Sequence, residues 1–162
     1  FLSSSFMLEN YCVSVWILYY YYMIQTNIYA AGLFDGEGTI TLMKVHASDL
    51  YKTPQVMMSS TTKELLVFLQ TNYGGCICTQ KKYKDHHKQA WSWRLSQNKA
   101  LTFLESIQPY VKEPSKLNRI NYLLKGYKKV TKRNGKYTES EKEKKLAFEA
   151  NFFSLNGGGE GS

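Results

Sequence analysis

Proline and cysteine are both scarce in this chain, three of each in 162 residues, and histidine is no commoner. The cysteines Cys12, Cys76 and Cys78 make an odd count, which excludes a self-contained disulfide framework. Cys76 and Cys78 fall in a stretch that reads as strand, so their thiols point to opposite faces. The Cys-x-x-Cys spacing of a structural zinc site is absent, and the adjacent His86 and His87 fall in an expected turn. A reducing compartment is the natural setting for such thiols. An uninterrupted apolar span is also missing. Residues 6–24 are rich in Tyr, Val, Ile, Leu and Trp, but Glu9, Asn10 and Ser14 break the run and no basic segment precedes it. The four tyrosines Tyr19 to Tyr22 suit an interface better than hydrocarbon, so no membrane segment is expected. The sequence opens on Phe1 without an initiator Met and closes on Gly-Gly-Gly-Glu-Gly-Ser (157–162), which reads as a linker or cloning scar.

Acidic residues are few where basic ones are many. Residues 1–60 hold two Lys and four acids, residues 61–130 hold thirteen Lys or Arg and four acids, and the remainder is nearly balanced. A basic middle interleaved with Trp, Tyr and Gln suits a polyanion such as nucleic acid, where neutralised phosphates supply much of the affinity. A solvated lysine-rich surface has the same composition, so charge alone leaves both readings open.

At this length one domain with its own core is expected. Residues 39–45 alternate at period two with dense β-branching, a half-buried strand. Pro54 and polar residues separate it from a return strand over 55–59, giving a hairpin. Thr61 or Thr62 caps a helix through Thr71, with Leu65, Leu66, Phe68 and Leu69 as its apolar stripe and Gly74-Gly75 as its stop. Strands over 76–83 and 88–95 form a second hairpin around the turn 84–87. A helix over 98–107 closes at Gln108-Pro109, and another spans 116–126. A basic turn over 128–136 then leads to Thr138-Glu139-Ser140-Glu141, a capping box opening a charged helix to about Phe153. The order is helix, two strands, helix, two strands, helices: an α+β class.

The most informative stretch is residues 29–38, Tyr-Ala-Ala-Gly-Leu-Phe-Asp-Gly-Glu-Gly. Ala30, Ala31, Gly32 and Gly36 would let two helices approach backbone to backbone, and Glu37 falls where Gly38 ends the helix. An acid is unfavourable at a helix C-terminus, where the dipole is negative, so a functional role is the natural reason for Glu37. The run resembles the signature of the LAGLIDADG homing endonucleases, with Ala30 for its first Leu, Phe34 for Ile, Gly36 for the second Ala and Glu37 for the last Asp. The resemblance extends over about residues 28–127.

That resemblance implies an αββαββα fold whose curved four-stranded antiparallel sheet lies in the DNA major groove, followed by extra C-terminal helices. It divides the chain into an N-terminal extension (1–27), a core (28–127), a basic turn with C-terminal helix (128–156) and a tail (157–162). It implies metal-dependent cleavage of double-stranded DNA, with Mg²⁺ held by Glu37 and the carbonyl of Gly36; Mn²⁺ would substitute, and Ca²⁺ would occupy a non-cleaving complex. The single copy of the motif implies a homodimer reading a long pseudo-palindromic site, its interface built on Ala31, Gly32, Phe34 and Asp35, where Asp35 acts as a cap or cross-interface partner. Relatives carry a Gln at the end of the second strand and a Lys after the third long helix. Here those positions fall near Met58 or Ser59 and on Pro114, so Lys112 and Lys116 are the candidates to complete the catalytic set with Glu37, and Thr61, Thr62 or Lys63 to serve near the strand end.

With Ile40, Leu42, Trp91, Trp93 and Leu95 facing the core, alternation turns Thr39, Thr41, Met43, Val45, Gln55, Met57, Cys78, Gln80, Lys82, Ala90, Ser92 and Arg94 toward DNA. Arg94 and Gln80 are the expected base readers, since Arg grips guanine and Gln adenine bidentately. The competing class is a non-catalytic maturase on the same fold that binds intron RNA; a transcription regulator lacks a helix-turn-helix signal here. An intron protein of this kind belongs inside the cell, in a mitochondrion, a chloroplast or an archaeal cytoplasm. The Tyr-rich start is either an exon-derived leader or a covering for the dimer.

Overall fold

The strands that alternate in sequence line up as one antiparallel sheet in the order β1-β2-β4-β3, with β1 at Gly38–Met43, β2 at Thr53–Ser60, β3 at Cys76–Thr79 and β4 at Trp91–Ser96. The computed structural model describes residues 4–45, 50–82, 88–132 and 136–155, and side chains from residue 15 onward. Each hairpin pairs with itself, and the two join along β2 and β4, where Met57 lies opposite Arg94 and Val56 opposite Leu95. Ile40, Leu42, Val56, Met58, Trp93 and Leu95 bury one face. Against them pack α1 (Ser4–Glu37), α2 (Lys63–Tyr73), α3 (Gln97–Ile107) and α4 (Pro114–Val130), contributing Phe34, Leu66, Leu69, Phe103, Leu104, Ile120 and Leu123. Each such side chain is worth about 1.5–3 kcal/mol of apolar transfer. Trp93 is fixed within this core: its indole donates to the Gly74 carbonyl at 2.8 Å and its ring meets Phe103 edge-on. Gly74 and Gly75, at φ 77° and 93°, make the turn that L side chains resist, and a Cβ on Gly75 would meet the Arg94 carbonyl.

The elements expected from the sequence are present, with shifted ends. β3 stops at Thr79 rather than 83, and β4 begins at Trp91 rather than 88. The turn 84–87, the loop 46–49 and the tail 157–162 lie outside the described residues. α1 runs without a break across positions 27 and 28, so the extension and the motif share one 34-residue helix. From Val15 to Tyr22 every side chain is exposed, so this part of the helix lies clear of the core. Among the described residues no helix is long and apolar enough to cross a membrane.

α4 continues through Gly126 to Val130, taking Lys128 and Lys129 of the expected turn into helix. Gly126 is there because α5 (Glu139–Ser154) crosses α4 at that point: an added Cβ would meet the Phe148 ring at 2.5 Å. The Thr138 and Glu141 capping box forms as expected. α5 also carries a buried Lys145 whose Nζ donates to Thr131 Oγ1 at 2.7 Å, lies 3.8 Å from Glu149 Oε1 and sits over the Tyr127 ring. Glu149 in turn accepts the Lys52 backbone N–H at 2.9 Å, tying α5 to the residue before β2.

Candidate functional site

Everything around Glu37 follows from how α1 is stopped. The helix ends at Glu37 and β1 starts at Gly38, where a Cβ would run into the Phe34 ring, so only glycine permits this turn from helix to strand. The last carbonyls of a helix need partners from elsewhere. Lys116 supplies them: its Nζ donates to the Phe34 carbonyl at 2.9 Å and the Asp35 carbonyl at 2.6 Å, placing a cation at the negative end of the dipole. Asp35 returns the favour to the segment that leads into α4, accepting the Lys112 N–H at 2.9 Å and the Glu113 N–H at 3.2 Å. Glu113 then caps α4 itself, accepting from the N–H groups of Ser115 and Lys116. The C-terminus of α1 and the N-terminus of α4 thus cap each other.

Beside this junction opens a cleft of about 330 Å³ lined by Glu37, Ser59, Ser60, Thr61 and Ala90. The Glu37 side chain is exposed, and among the described residues no hydrogen bond or ion pair engages its carboxylate. Across the cleft Gln80 Nε2 donates to Ser59 Oγ at 2.8 Å, and Ser60 Oγ accepts the Thr62 N–H at 3.0 Å. The donors are all hard oxygens with a single carboxylate, which suits Mg²⁺ or Ca²⁺ taking one or two protein carboxylates with water and phosphate completing the shell. Among the described residues no group of three or more His, Cys, Asp or Glu gathers, so one chain supplies at most part of such a shell.

The face of the sheet turned from the core runs outward from this cleft in rows set by the strand register. Ser59, Ser92 and Cys78 form the row nearest Glu37; Thr39, Met57, Arg94 and Cys76 the next; Thr41, Gln55 and Ser96 the third. Thr39, Met43, Cys78, Lys82 and Arg94 are exposed, and Thr41, Gln55 and Met57 partly so. Ser92 shares the face but is 1% exposed: it lies in the inner row between Ser59 and Cys78, with Arg94 Nε reaching its Oγ at 3.5 Å. Ser92 supports Arg94 rather than meeting a ligand. Gln80 is partly exposed and gives one of its amide hydrogens to Ser59.

Three other expectations meet a different arrangement. Ala31 and Phe34 have no exposed surface even in the single chain, because both face its own core, where Phe34 meets Phe103 edge-on. The exposed stripe of α1 is instead Gln25, Ile28, Tyr29, Gly32 and Gly36. Asp35 is occupied within its own chain, as described. Lys116 is held at the carbonyls of α1, whereas Lys112 is exposed and, among the described residues, only its backbone N–H is engaged.

A second cleft, about 740 Å³, lies at the far end of the sheet between Thr53, Gln97, Asn98, Lys128, Thr131 and Lys132. Gln97 stands at φ 57°, a left-handed conformation that costs a non-glycine residue about 1–2 kcal/mol. The run of lysines near 128–132 was the only sign of this cleft in the sequence.

No family model matches the chain, and no curated protein matches it. Solved structures do. The homing endonuclease I-CvuI, in complex with its target in the presence of calcium, superposes with a TM-score of 0.54 at 16% identity, covering 88% of each chain. The archaeal intron-encoded homing endonuclease I-Vdi141I, complexed with DNA, gives 0.53 at 15% identity over 83% of this chain and 86% of that one. I-SmaMI, bound to uncleaved DNA with calcium ions, gives 0.53 at 20% identity, with 79% of this chain matching 45% of that one. The αββαββα order, the sheet order and these superpositions agree: the chain has the fold of the LAGLIDADG homing endonucleases.

Proposed function

We propose that this protein is a single-motif homing endonuclease, a site-specific enzyme that cuts double-stranded DNA as a homodimer with a divalent cation. The observation that carries the reading is the exposed Glu37, its carboxylate without a partner among the described residues, at the mutually capped end of α1 and opening onto the inner end of a polar strand face. A bound cation would be held by Glu37 and the Gly36 carbonyl, and it supplies charge neutralisation for phosphodiester hydrolysis. The chain's own part is to fix that carboxylate through the Lys116 and Asp35 caps, and to lay the strand face along the major groove. On that face Thr39, Thr41, Met43, Gln55, Met57, Cys78, Lys82 and Arg94 meet base edges. Arg94, exposed and braced by Ser92, is the reader of guanine. Lys112, exposed beside this junction, is a cation for a phosphate.

Two features support the dimer. Among the described residues an added Cβ at Gly32 or Gly36 would meet nothing within 4 Å, so no contact there accounts for two helix-weakening glycines that cost about 1 kcal/mol each relative to Ala. They flank an exposed stripe with Ile28 and Tyr29, which a second α1 at close approach would cover. Two chains would then bring two Glu37 residues together at the two-fold axis and pair their sheets with the half-sites of a pseudo-palindrome. The basic end of α4, Lys128 and Lys129, favours a second reading in which the same fold binds intron RNA without cutting.

The test is selection of a cleavable site from randomised double-stranded DNA with Mg²⁺, run with the parent chain and with Glu37→Gln. Cleavage of a pseudo-palindromic site by the parent alone, with binding kept in the variant, is the expected result. Cutting by both refutes the role of Glu37, and preferential binding of structured RNA with no cutting by either moves the assignment to the maturase.

A further inference from the structure

The sequence offers Glu37 no glutamine at the end of β2, but the structure builds a substitute from two elements. Ser59, near the end of β2, is partly exposed and lines the Glu37 cleft; Gln80, just beyond β3, reaches across to it with Nε2 to Oγ at 2.8 Å. Gln80 is itself immobilised. Its N–H donates to the Ala90 carbonyl at 2.9 Å, and its own carbonyl accepts from Gln89 Nε2 at 2.7 Å. The Gln89 amide also bonds Ala90, another residue of the cleft wall. The direction of the central bond decides what Ser59 does. A serine oxygen that accepts from an amide N–H keeps its own proton for another acceptor. Ser59 lines the same cleft as Glu37, so a ligand atom held there is within the reach of the proton that the Gln80 bond leaves uncommitted.

We propose that Ser59, oriented by Gln80, donates its hydroxyl proton to a non-bridging oxygen of the phosphodiester that Glu37 addresses, with Gln80 as a positioning residue acting only through Ser59. This rests on the nuclease reading. The group needed there is a neutral donor: an anionic phosphate oxygen that gains charge in the transition state is stabilised by a pre-oriented O–H without a second cation. Arg94 lies one row further from the cleft than Ser92, and Ser60, the other β2 hydroxyl of the cleft, is opposite Trp91 on the alternate side of the strand, which leaves Ser59 as the cleft-lining hydroxyl of β2 on the outward face.

The experiment is single-turnover cleavage of a double-stranded oligonucleotide carrying the selected site, with Mg²⁺, alongside affinity for the same DNA measured with Ca²⁺. Ser59→Ala is expected to slow cutting about 10- to 100-fold, below the loss seen for a fully enclosed donor, with affinity unchanged. Ser59→Thr restores the rate and shows that the fold tolerates the site. Gln80→Met slows cutting less than Ser59→Ala, and the double variant is no slower than Ser59→Ala, because groups that act as a unit are not additive. Parent-rate cutting by Ser59→Ala, or losses in the double variant that simply add, overturns the proposal while leaving the nuclease reading in place. A parent chain that cuts no DNA overturns both.

Discussion

Lys116→Met separates two roles that one lysine near an active carboxylate can play. In the structure its Nζ donates to the Phe34 and Asp35 carbonyls at 2.9 and 2.6 Å, so the charge completes the end of α1. Methionine keeps most of the stem that lies beside the Phe34 ring and removes only the cation. A hydrogen bond from a charged donor is worth about 1.5–3 kcal/mol, and the half-buried setting lets water repair part of the loss. Taking the lower end for each bond gives a destabilisation of about 3 kcal/mol. For a protein of this size that corresponds to a fall in Tm of roughly 6–12 °C. The caps are reciprocal, so the loosened α1 end also costs Asp35 its register with Lys112 and Glu113, and cutting falls in step because Glu37 is two residues further on. The assay is a thermal melt paired with single-turnover cleavage well below Tm. A normal Tm with abolished cleavage would refute the capping role and show that Lys116 touches the DNA; a normal Tm with normal cleavage would refute both roles.

Two further outcomes are expected. Burial holds the Lys145 ammonium at a pKa of about 8, below the ordinary lysine value, with Glu149 opposing the shift. The unfolded chain therefore binds more protons than the folded one between about pH 8 and pH 10, and stability rises with pH across that window, reaching its full value only above the unfolded lysine pKa; urea midpoints at pH 8 and 9.5 measure this, and Lys145→Met should flatten the slope. Gly32→Leu, whose Cβ would meet no atom of the described residues within 4 Å, should leave the monomer's melting intact while abolishing dimers in sedimentation and cleavage with them; an unaffected dimer would place the interface elsewhere.

How much was legible in the sequence depended on whether a residue's task was local. The helix–strand order, the Gly74-Gly75 turn and the Thr138 capping box were readable because propensity, glycine chemistry and a three-residue spacing determine them within a few positions. The inward face of the sheet followed from alternation, and Ile40, Leu42, Trp93 and Leu95 are buried as that pattern requires. What escaped was set by contacts distant in sequence. Gly126 looked like a helix stop and is instead the crossing point for Phe148. Ala31 and Phe34 carry the small and apolar character of an interface, but periodicity alone does not say which side of α1 meets its own sheet. Ser92 lies on the predicted face, yet it is buried beside Arg94 two residues along its own strand, and Gln80 gives one amide hydrogen to Ser59 across the sheet.

The departures around Glu37 are related to one another. With no lysine at the position that Pro114 fills, Lys116 serves α1 from within the first turn of α4, and Pro114 at the start of that helix costs no hydrogen bond there. Its fixed backbone helps hold Glu113, which keeps the Lys116 N–H and hence the side chain in register with α1. With no glutamine at the end of β2, the shorter Ser59 leaves room that Gln80 fills from the neighbouring hairpin. Both contacts come from elements packed against α1 or the sheet, so tertiary contact, not sequence position, shapes this cleft. The end of α1 that carries Glu37 is thereby capped by α4, while the second hairpin braces the opposite wall of the cleft through Gln80 and Ser59, and loss of either is expected to impair chemistry before it impairs binding along the outer rows of the sheet.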